Sequence, residues 1–369
     1  MKDEREKTGF EAWELFPKID GPLQGAGPCS AESEAQVLET ARALAGRIAF
    51  FRAGIWKPRT RPGGFEGVGA RGLPWLVRAR AETGVKIGSE VANPAHVEAV
   101  LEHGLDLLWI GARTVTNPFS VQELADVLRG VDIPVLVKNP MSADAGLWTG
   151  AVERLAGAGL RRIGLIHRGV PSASETRFRN APSWSLAGEM RRRMPELPML
   201  CDPSHIAGRA ELVPAVAQEA MDMLFDGLMT EVHPDPSVAL SDAAQQLTPA
   251  AFFEMVSGLH VPAEHVDSDE FDRRLAALRR EVDELDGRVL ELLGERMGRV
   301  EEMGRLKAER NVATLQPDRW SKVVEDRMQR GRRQALSEPF VARLMEAIHE
   351  EALRRQEARR ETENPRRVP

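Results

Sequence analysis

Eight times in its first 258 residues the chain passes from a short apolar run to a stretch with helical periodicity. The runs are "PLQGAGPCS", "IAFFRAG", "VKIGSEV", "LDLLWIGA", "PVLVKNP", "RRIGLIHRG", "PMLCDPSH" and "DGLMTEVHP". Helical stretches such as "EAQVLETARALAG", "PAHVEAVLEHG" and "VQELADVLRG" lie between them. Near-continuous apolar runs alternating with helices are the pattern of a parallel sheet covered by its crossovers, and eight repeats are what an α/β fold of the (β/α)8 TIM barrel type needs. A doubly wound open sheet is the alternative. In a closed barrel the chemistry gathers at the C-terminal strand ends. Cys29, Arg52, Glu90, Arg113, Lys138, Arg168, His205 and Glu231 all fall at or just beyond those ends.

The pattern changes near residue 258. We read residues 1–258 as the barrel, 259–269 ("SGLHVPAEHVDSDE" spans this bridge) as a linker, and 270–369 as an all-helical domain. No proline interrupts the chain between Pro262 and Pro317. A net charge of −6 argues against a nucleic-acid binder. No run approaches the ~18 apolar residues needed to span a bilayer, so no membrane association is expected. The polar start "MKDEREKTGFEAWELF" has no signal-peptide core, and two cysteines in 369 residues suit a reducing cytoplasm.

"MLCDPSHIAG" places Cys201, Asp202 and His205 within five positions. Adjacent strand residues face opposite ways, so Cys201 and Asp202 cannot both serve one ion, and Cys201 reads as a small buried hydrophobe. Strands one, seven and eight are neighbours in a closed barrel. They bring together Cys29, His205 and Glu231, with Asp242 in the loop beyond strand eight. That mixed S/N/O set suits a divalent transition metal. Manganese is the first candidate, and cobalt, iron or zinc would also be accommodated. Arg52, Lys57, Arg113, Lys138 and Arg168 surround the same mouth, and so many cations require anions to offset their repulsion. Carboxylate and phosphate fit, and Arg59 and Thr60 in "KPRTRPGGFEGVGARG" offer a second phosphate site. "GVGARG" matches a dinucleotide fingerprint in letters, but it does not directly follow a strand and Leu-Pro-Trp comes next, so the context the motif requires is missing.

Taken together, "AGPCSAES", "FRAGIWKPRT", "IGART", "LVKNP", "HRG", "CDPSH" and "EVHPDPSVALSD" resemble the 3-deoxy-D-arabino-heptulosonate 7-phosphate (DAHP) synthase family. The resemblance implies condensation of phosphoenolpyruvate with erythrose 4-phosphate. It implies that Cys29, His205, Glu231 and Asp242 hold the metal, and that Arg52, Lys57, Arg113, Lys138 and Arg168 grip phosphoenolpyruvate. Arg59 and Thr60 would grip the sugar phosphate. Lys57 is the candidate for proton transfer and Glu90 for orienting water. A related sugar-acid synthase acting on arabinose 5-phosphate is the rival, disfavoured by "KPRT".

In the second domain Leu275, Leu278, Val282, Leu285, Val289 and Leu292 form an apolar stripe expected to be buried. The same steps continue through Arg296, Val300, Met303 and Lys307, placing two cations on that face. Unpaired buried charge is costly, so they call for an anionic partner or an internal ion pair. "LRREVDELDGRVLELLGERMGRVEEMGRLKAERN", "LQPDRW" and "AIHEEALRRQ" resemble the all-helical, three-helix chorismate mutase family. That resemblance implies a homodimer with sites built from both chains, and binding of chorismate by Arg279 (from the partner), Arg296, Lys307, Arg319 and Gln356. Lys307 and Gln356 would stabilise the ether oxygen. Trp320 stands where a glutamate is common, and Ala352 where a serine is common. The domain therefore reads either as an active mutase or as a regulatory and dimerising module that senses chorismate or prephenate; the two roles are compatible.

Overall fold

The computed structural model describes residues 21–57, 63–172, 177–263, 268–315 and 317–363. It divides into two compact units, Met1–Glu264 and His265–Pro369.

In the first unit eight parallel strands close on themselves: β1 (Leu23–Gly27), β2 (Phe50–Arg52), β3 (Lys86–Val91), β4 (Leu107–Ile110), β5 (Val135–Lys138), β6 (Ile163–His167), β7 (Met199–Cys201) and β8 (Gly227–Glu231). Closure is made by β1 pairing with β8, Leu23 opposite Gly227 and Gly27 opposite Glu231. An open sheet is thereby excluded. One long helix follows each strand: α1 (Glu34–Leu44), α2 (Leu73–Thr83), α3 (Pro94–Glu102), α4 (Pro118–Val127), α5 (Ala145–Gly157), α6 (Trp184–Arg193), α7 (Val213–Asp222) and α8 (Pro249–Gly258). Side chains of Ser33, Asn93, Asn117, Asp144 and Thr248 accept backbone N–H bonds at the starts of α1, α3, α4, α5 and α8. Proline follows directly in α3, α4 and α8, where its missing N–H costs nothing.

Strand alternation sorts the apolar residues into two cores. Phe50, Leu107, Trp109, Leu136, Ile166, Leu200 and Met229 pack together inside the barrel. Their strand neighbours, including Phe51, Leu108, Val135, Val137, Leu165, Met199, Cys201 and Leu228, join the larger core beneath the helices. Cys201 thus faces outward into packed hydrocarbon. Asp202, one residue on, turns to the mouth.

Among the described residues the second unit has three helices, α9 (Asp269–Glu309), α10 (Pro317–Arg333) and α11 (Glu338–Glu363). Ser268 caps α9 through its hydroxyl. Its small core is Met297, Val300 and Ala352, with Ile348 against them. Gly304 lets α11 approach closely, since a Cβ there would lie 3.1 Å from Gln356 Cα. The stripe expected to be buried is not buried within one chain: Leu278, Val282, Leu285, Val289 and Leu292 are each more than half exposed. The reason is length. The 41 residues of α9 outrun the 26 of α11, and buried residues on α9 occur only from Met297 onward.

Candidate active site and metal centre

The β1–β8 pairing brings the end of the first strand beside the end of the last. Cys29 lies two residues beyond β1. Its thiol donates to Asp242 Oδ2 at 3.3 Å and accepts from Lys57 Nζ at 3.0 Å. Glu231, the last residue of β8, accepts from Arg52 Nη1 through Oε1 at 3.0 Å, and from Gln245 Nε2 through Oε2 at 2.7 Å. Cys29, Glu231 and Asp242 offer one sulfur and two oxygens within 4.8 Å of one another. His205 borders this group rather than joining it, with Nε2 3.8 Å from Glu231 Oε1. Its Nδ1 lies 2.8 Å from Asp202 Oδ2, close enough for a carboxylate to support a metal-binding imidazole. This donor set fits a borderline divalent metal. The residues that would hold one are Cys29, Glu231 and Asp242, with His205 alongside.

Burial, reinforced by Glu231, pushes the Cys29 thiol up to about 12, so without an ion it keeps its proton. Burial also works against the charged form of Glu231. The charges of His205 and Arg52 outweigh it and hold the carboxyl below its usual range. Asp242 is held down in the same way by His205 and Arg179, against its own desolvation. These acids therefore stay ionised at neutral pH.

The cations divide into two sets. Arg52 and Lys138 are buried and already paired, Arg52 with Glu231 at 3.0 Å and Lys138 with Asp202 at 2.9 Å. The expectation of an uncompensated cationic ring is corrected for these two: inward carboxylates neutralise them before any ligand arrives. Arg168 is different. It is buried, and its Nη1 donates to two neutral oxygens, Gly169 O at 3.3 Å and Asn180 Oδ1 at 2.9 Å. Among the described residues no carboxylate lies within ion-pair distance of it. Burial, with the nearby charges of Arg179 and Arg113, lowers it to about 10 despite Asp202. A buried guanidinium among like charges, with only neutral acceptors, has the chemistry to receive a carboxylate or phosphate. Arg113 is the second residue of a short helix, Ala112–Val115, after β4, and it is exposed. Glu90 Oε2 accepts from the indole N–H of Trp109 at 2.9 Å. Gly111 makes room for that carboxylate, because a Cβ there would meet Glu90 Oε1 at 2.2 Å. Arg59 and Thr60 lie outside the described residues.

In the helical unit Lys307 Nζ donates to Thr314 O at 2.7 Å. Gln356 is buried, with Nε2 donating to Ala352 O at 3.3 Å and Oε1 without a partner. Arg296 is half-buried on the same helix as Lys307, while Arg279 and Arg319 are exposed. Seventeen positions separate Arg279 from Arg296, about 25 Å of helix, so one chain does not bring Arg279 to the others. Trp320 stacks on His349, ring centroids 3.7 Å apart.

Sequence reasoning missed Asp202, Arg179, Asn180, Gln245 and Trp109 as parts of the site. Asp202 had a signal: it stands three residues before His205 at a helix start, where its carboxylate accepts the His205 N–H. Gln245 and Asn180 had none, since their partners lie far off in sequence.

A closed parallel barrel with a thiol–carboxylate cluster and a buried arginine at its C-terminal strand ends has the arrangement of a barrel enzyme. Comparison with known proteins makes this particular. The DAHP synthetase I family model matches residues 23–261 and that of chorismate mutase type II matches residues 278–357. A phospho-2-dehydro-3-deoxyheptonate aldolase of Thermotoga maritima is 34% identical over 232 residues, 63% of this chain and 67% of that protein. A 2-dehydro-3-deoxyphosphooctonate aldolase of Nitratidesulfovibrio vulgaris is 29% identical, over 59% of this chain and 83% of its own length. The crystal structure of the Thermotoga maritima DAHP synthase superposes with a TM-score of 0.58 at 32% identity, covering 64% of this chain and 67% of that one. The chain belongs to the DAHP synthetase I family, with a chorismate mutase type II domain after the barrel.

Proposed function

We propose that the barrel condenses phosphoenolpyruvate with erythrose 4-phosphate to give DAHP and phosphate, and that it depends on a divalent metal, manganese first among the candidates. The observation that carries this is the Cys29–Glu231–Asp242 cluster at the same strand ends as the buried, anion-seeking Arg168. When bound, the metal supplies Lewis acidity toward an aldehyde oxygen. The chain's own groups do the rest. Arg168, with Arg113, binds the carboxylate and phosphate of phosphoenolpyruvate. Arg52 and Lys138, held by Glu231 and Asp202, offer fixed N–H donors at the mouth rather than uncompensated charge. Lys57 delivers a proton to the oxygen that becomes an alcohol, a reading supported by its Nζ lying 3.0 Å from Cys29 Sγ. Glu90, held by Trp109, orients the water that adds to the second carbon of the enol phosphate. Such placement lowers the barrier chiefly through orientation.

For the helical unit we propose conversion of chorismate to prephenate in a homodimer, with Arg279 entering the partner's site, together with sensing of chorismate or prephenate as feedback. A purely sensory, dimerising unit is the second reading. It is favoured by Trp320, whose ring is engaged on His349 where a glutamate is common, and by Ala352, which packs against Met297 and Val300 where a serine is common.

Both reactions should be assayed on the full chain and on each half, with erythrose 4-phosphate and arabinose 5-phosphate as alternative aldoses. We expect DAHP formation to disappear with chelator and to fall more than ~100-fold in Cys29→Ala, because even outer partners of a metal are worth ~10–100-fold. Full activity under chelation would sink the metal reading. Prephenate formation by the full chain is expected; chorismate binding without turnover would favour the sensory reading.

A further inference from the structure

The segment after β6 returns over the mouth and docks on the short helix that carries His205, Pro203–Ala207. Three of that helix's last carbonyls are taken up. Asn180 Nδ2 donates to His205 O at 2.6 Å, Asn180 N to Ile206 O at 3.2 Å, and Arg179 N to Ala207 O at 3.3 Å. Gly208 ends the helix with φ +71, and a Cβ there would lie 2.4 Å from Arg179 Cβ. The absent side chain is what lets Arg179 cross.

Having crossed, Arg179 Nη1 donates twice, to Asp242 Oδ1 at 3.0 Å and to Gln245 Oε1 at 2.7 Å. Gln245 passes the connection on, its Nε2 donating to Glu231 Oε2 at 2.7 Å. One guanidinium nitrogen therefore touches one cluster carboxylate directly and the other through an amide whose orientation both ends dictate. Asp242 needs such support. Its backbone lies in the left-handed region, φ +47 and ψ 36, uncommon for a residue with a side chain. Its other oxygen accepts from a thiol, a weak donor. Asn180 Oδ1 meanwhile accepts from Arg168, so the same segment abuts the anion site.

We propose that Arg179 is a positioning residue of the metal centre. It fixes the Asp242 carboxylate directly and the Glu231 carboxylate through Gln245. The inference rests on the reading of Cys29, Glu231 and Asp242 as metal ligands. It assigns Arg179 no contact with substrate.

The test is calorimetric titration of the full-length chain with Mn2+ alone, after chelation and desalting. Arg179→Met keeps the stem that lies over Gly208 and removes both donated bonds. We expect it to raise the Mn2+ dissociation constant ~10–100-fold while leaving the thermal unfolding midpoint of the metal-free protein within a few degrees of wild type. Arg179→Lys, which retains a cation, should recover part of the loss. Gln245→Leu should also weaken binding, and the double variant should lose less than the product of the two single losses, because they cut one chain of bonds. A wild-type chain that takes up no Mn2+ overturns the metal centre and this proposal with it. A wild type that binds, beside an Arg179→Met variant of equal affinity, overturns the role of Arg179 alone. Multiplicative losses in the double variant overturn the relay through Gln245. If Arg179→Met does not fold, the Arg179→Lys and Gln245→Leu titrations decide the same question.

Discussion

At the scale of single residues the structure makes a pH prediction away from the metal cluster. His167, the last residue of β6, is buried and ringed by Trp148, Trp184 and Phe225. Its Nε2 meets the carbonyl of Pro182 and its Nδ1 has no partner, so a second proton would bring an unsolvated charge. Burial, reinforced by Arg168 and only partly opposed by the Pro182 carbonyl, pushes its pKa from 6.5 down to about 4. The unfolded chain then binds the proton more tightly than the native one. Stability is at full value above pH ~6.5 and falls as the pH drops toward ~4, by up to about 3 kcal/mol. Urea unfolding between pH 7 and pH 4 should show this loss, and His167→Phe should flatten that part of the profile. An unchanged slope would remove His167 as its source. The sequence told much about individual residues and little about their partners. Alternation alone separates outward Cys201 from inward Asp202. It says nothing of Lys138, which is 64 positions from Asp202 in sequence yet 2.9 Å away in space.

At the scale of elements the eight strands were readable because each is a short apolar run bounded by polar punctuation, and the helices because capping residues and N-terminal prolines mark their starts. Barrel closure was an inference from number, and in the structure it depends on a specific close approach. Gly227 begins β8 opposite Leu23, and a Cβ there would lie 2.1 Å from Leu23 O. Backbone on both sides cannot yield without parting the β1–β8 pair. We therefore expect Gly227→Ala to destabilise the barrel by about 3 kcal/mol or more, at or above the upper end of ordinary overpacking, read from the urea midpoint of the full chain. A change under about 1 kcal/mol would mean that closure tolerates strand separation at this point. The segment holding Arg179 and Asn180 was not legible as part of the site. It has no periodicity, and its role lies in backbone bonds to a helix some 25 residues further on, at His205, Ile206 and Ala207.

At the scale of the whole molecule the outstanding feature is the apolar stripe of α9. The sequence marked its residues as a face to be buried without saying by which chain, because periodicity reports only that a face is apolar. Leu278, Val282, Leu285, Val289 and Leu292 each remain more than half exposed, a continuous row of the kind that marks an association surface. In a symmetric pair the row occurs twice. Ten half-exposed side chains at roughly 1 kcal/mol each give on the order of 10 kcal/mol of gross burial energy, comparable to the entropic cost of association. Removing part of the row should therefore shift the equilibrium strongly. Leu285→Glu with Val289→Glu replaces four of the ten in the pair and sets like charges against each other. We expect sedimentation equilibrium to show a dimer for the full chain, and a dissociation constant at least ~1,000-fold higher for the double variant, equivalent to about 4 kcal/mol. Mn2+ affinity in the barrel should not change, since none of its candidate ligands lies in this unit. Loss of prephenate formation with the dimer would support the proposed entry of Arg279 into its partner's site, in keeping with its ~25 Å separation from Arg296 along one helix. If turnover survives in a demonstrated monomer, the shared-site reading fails while the barrel's chemistry stands.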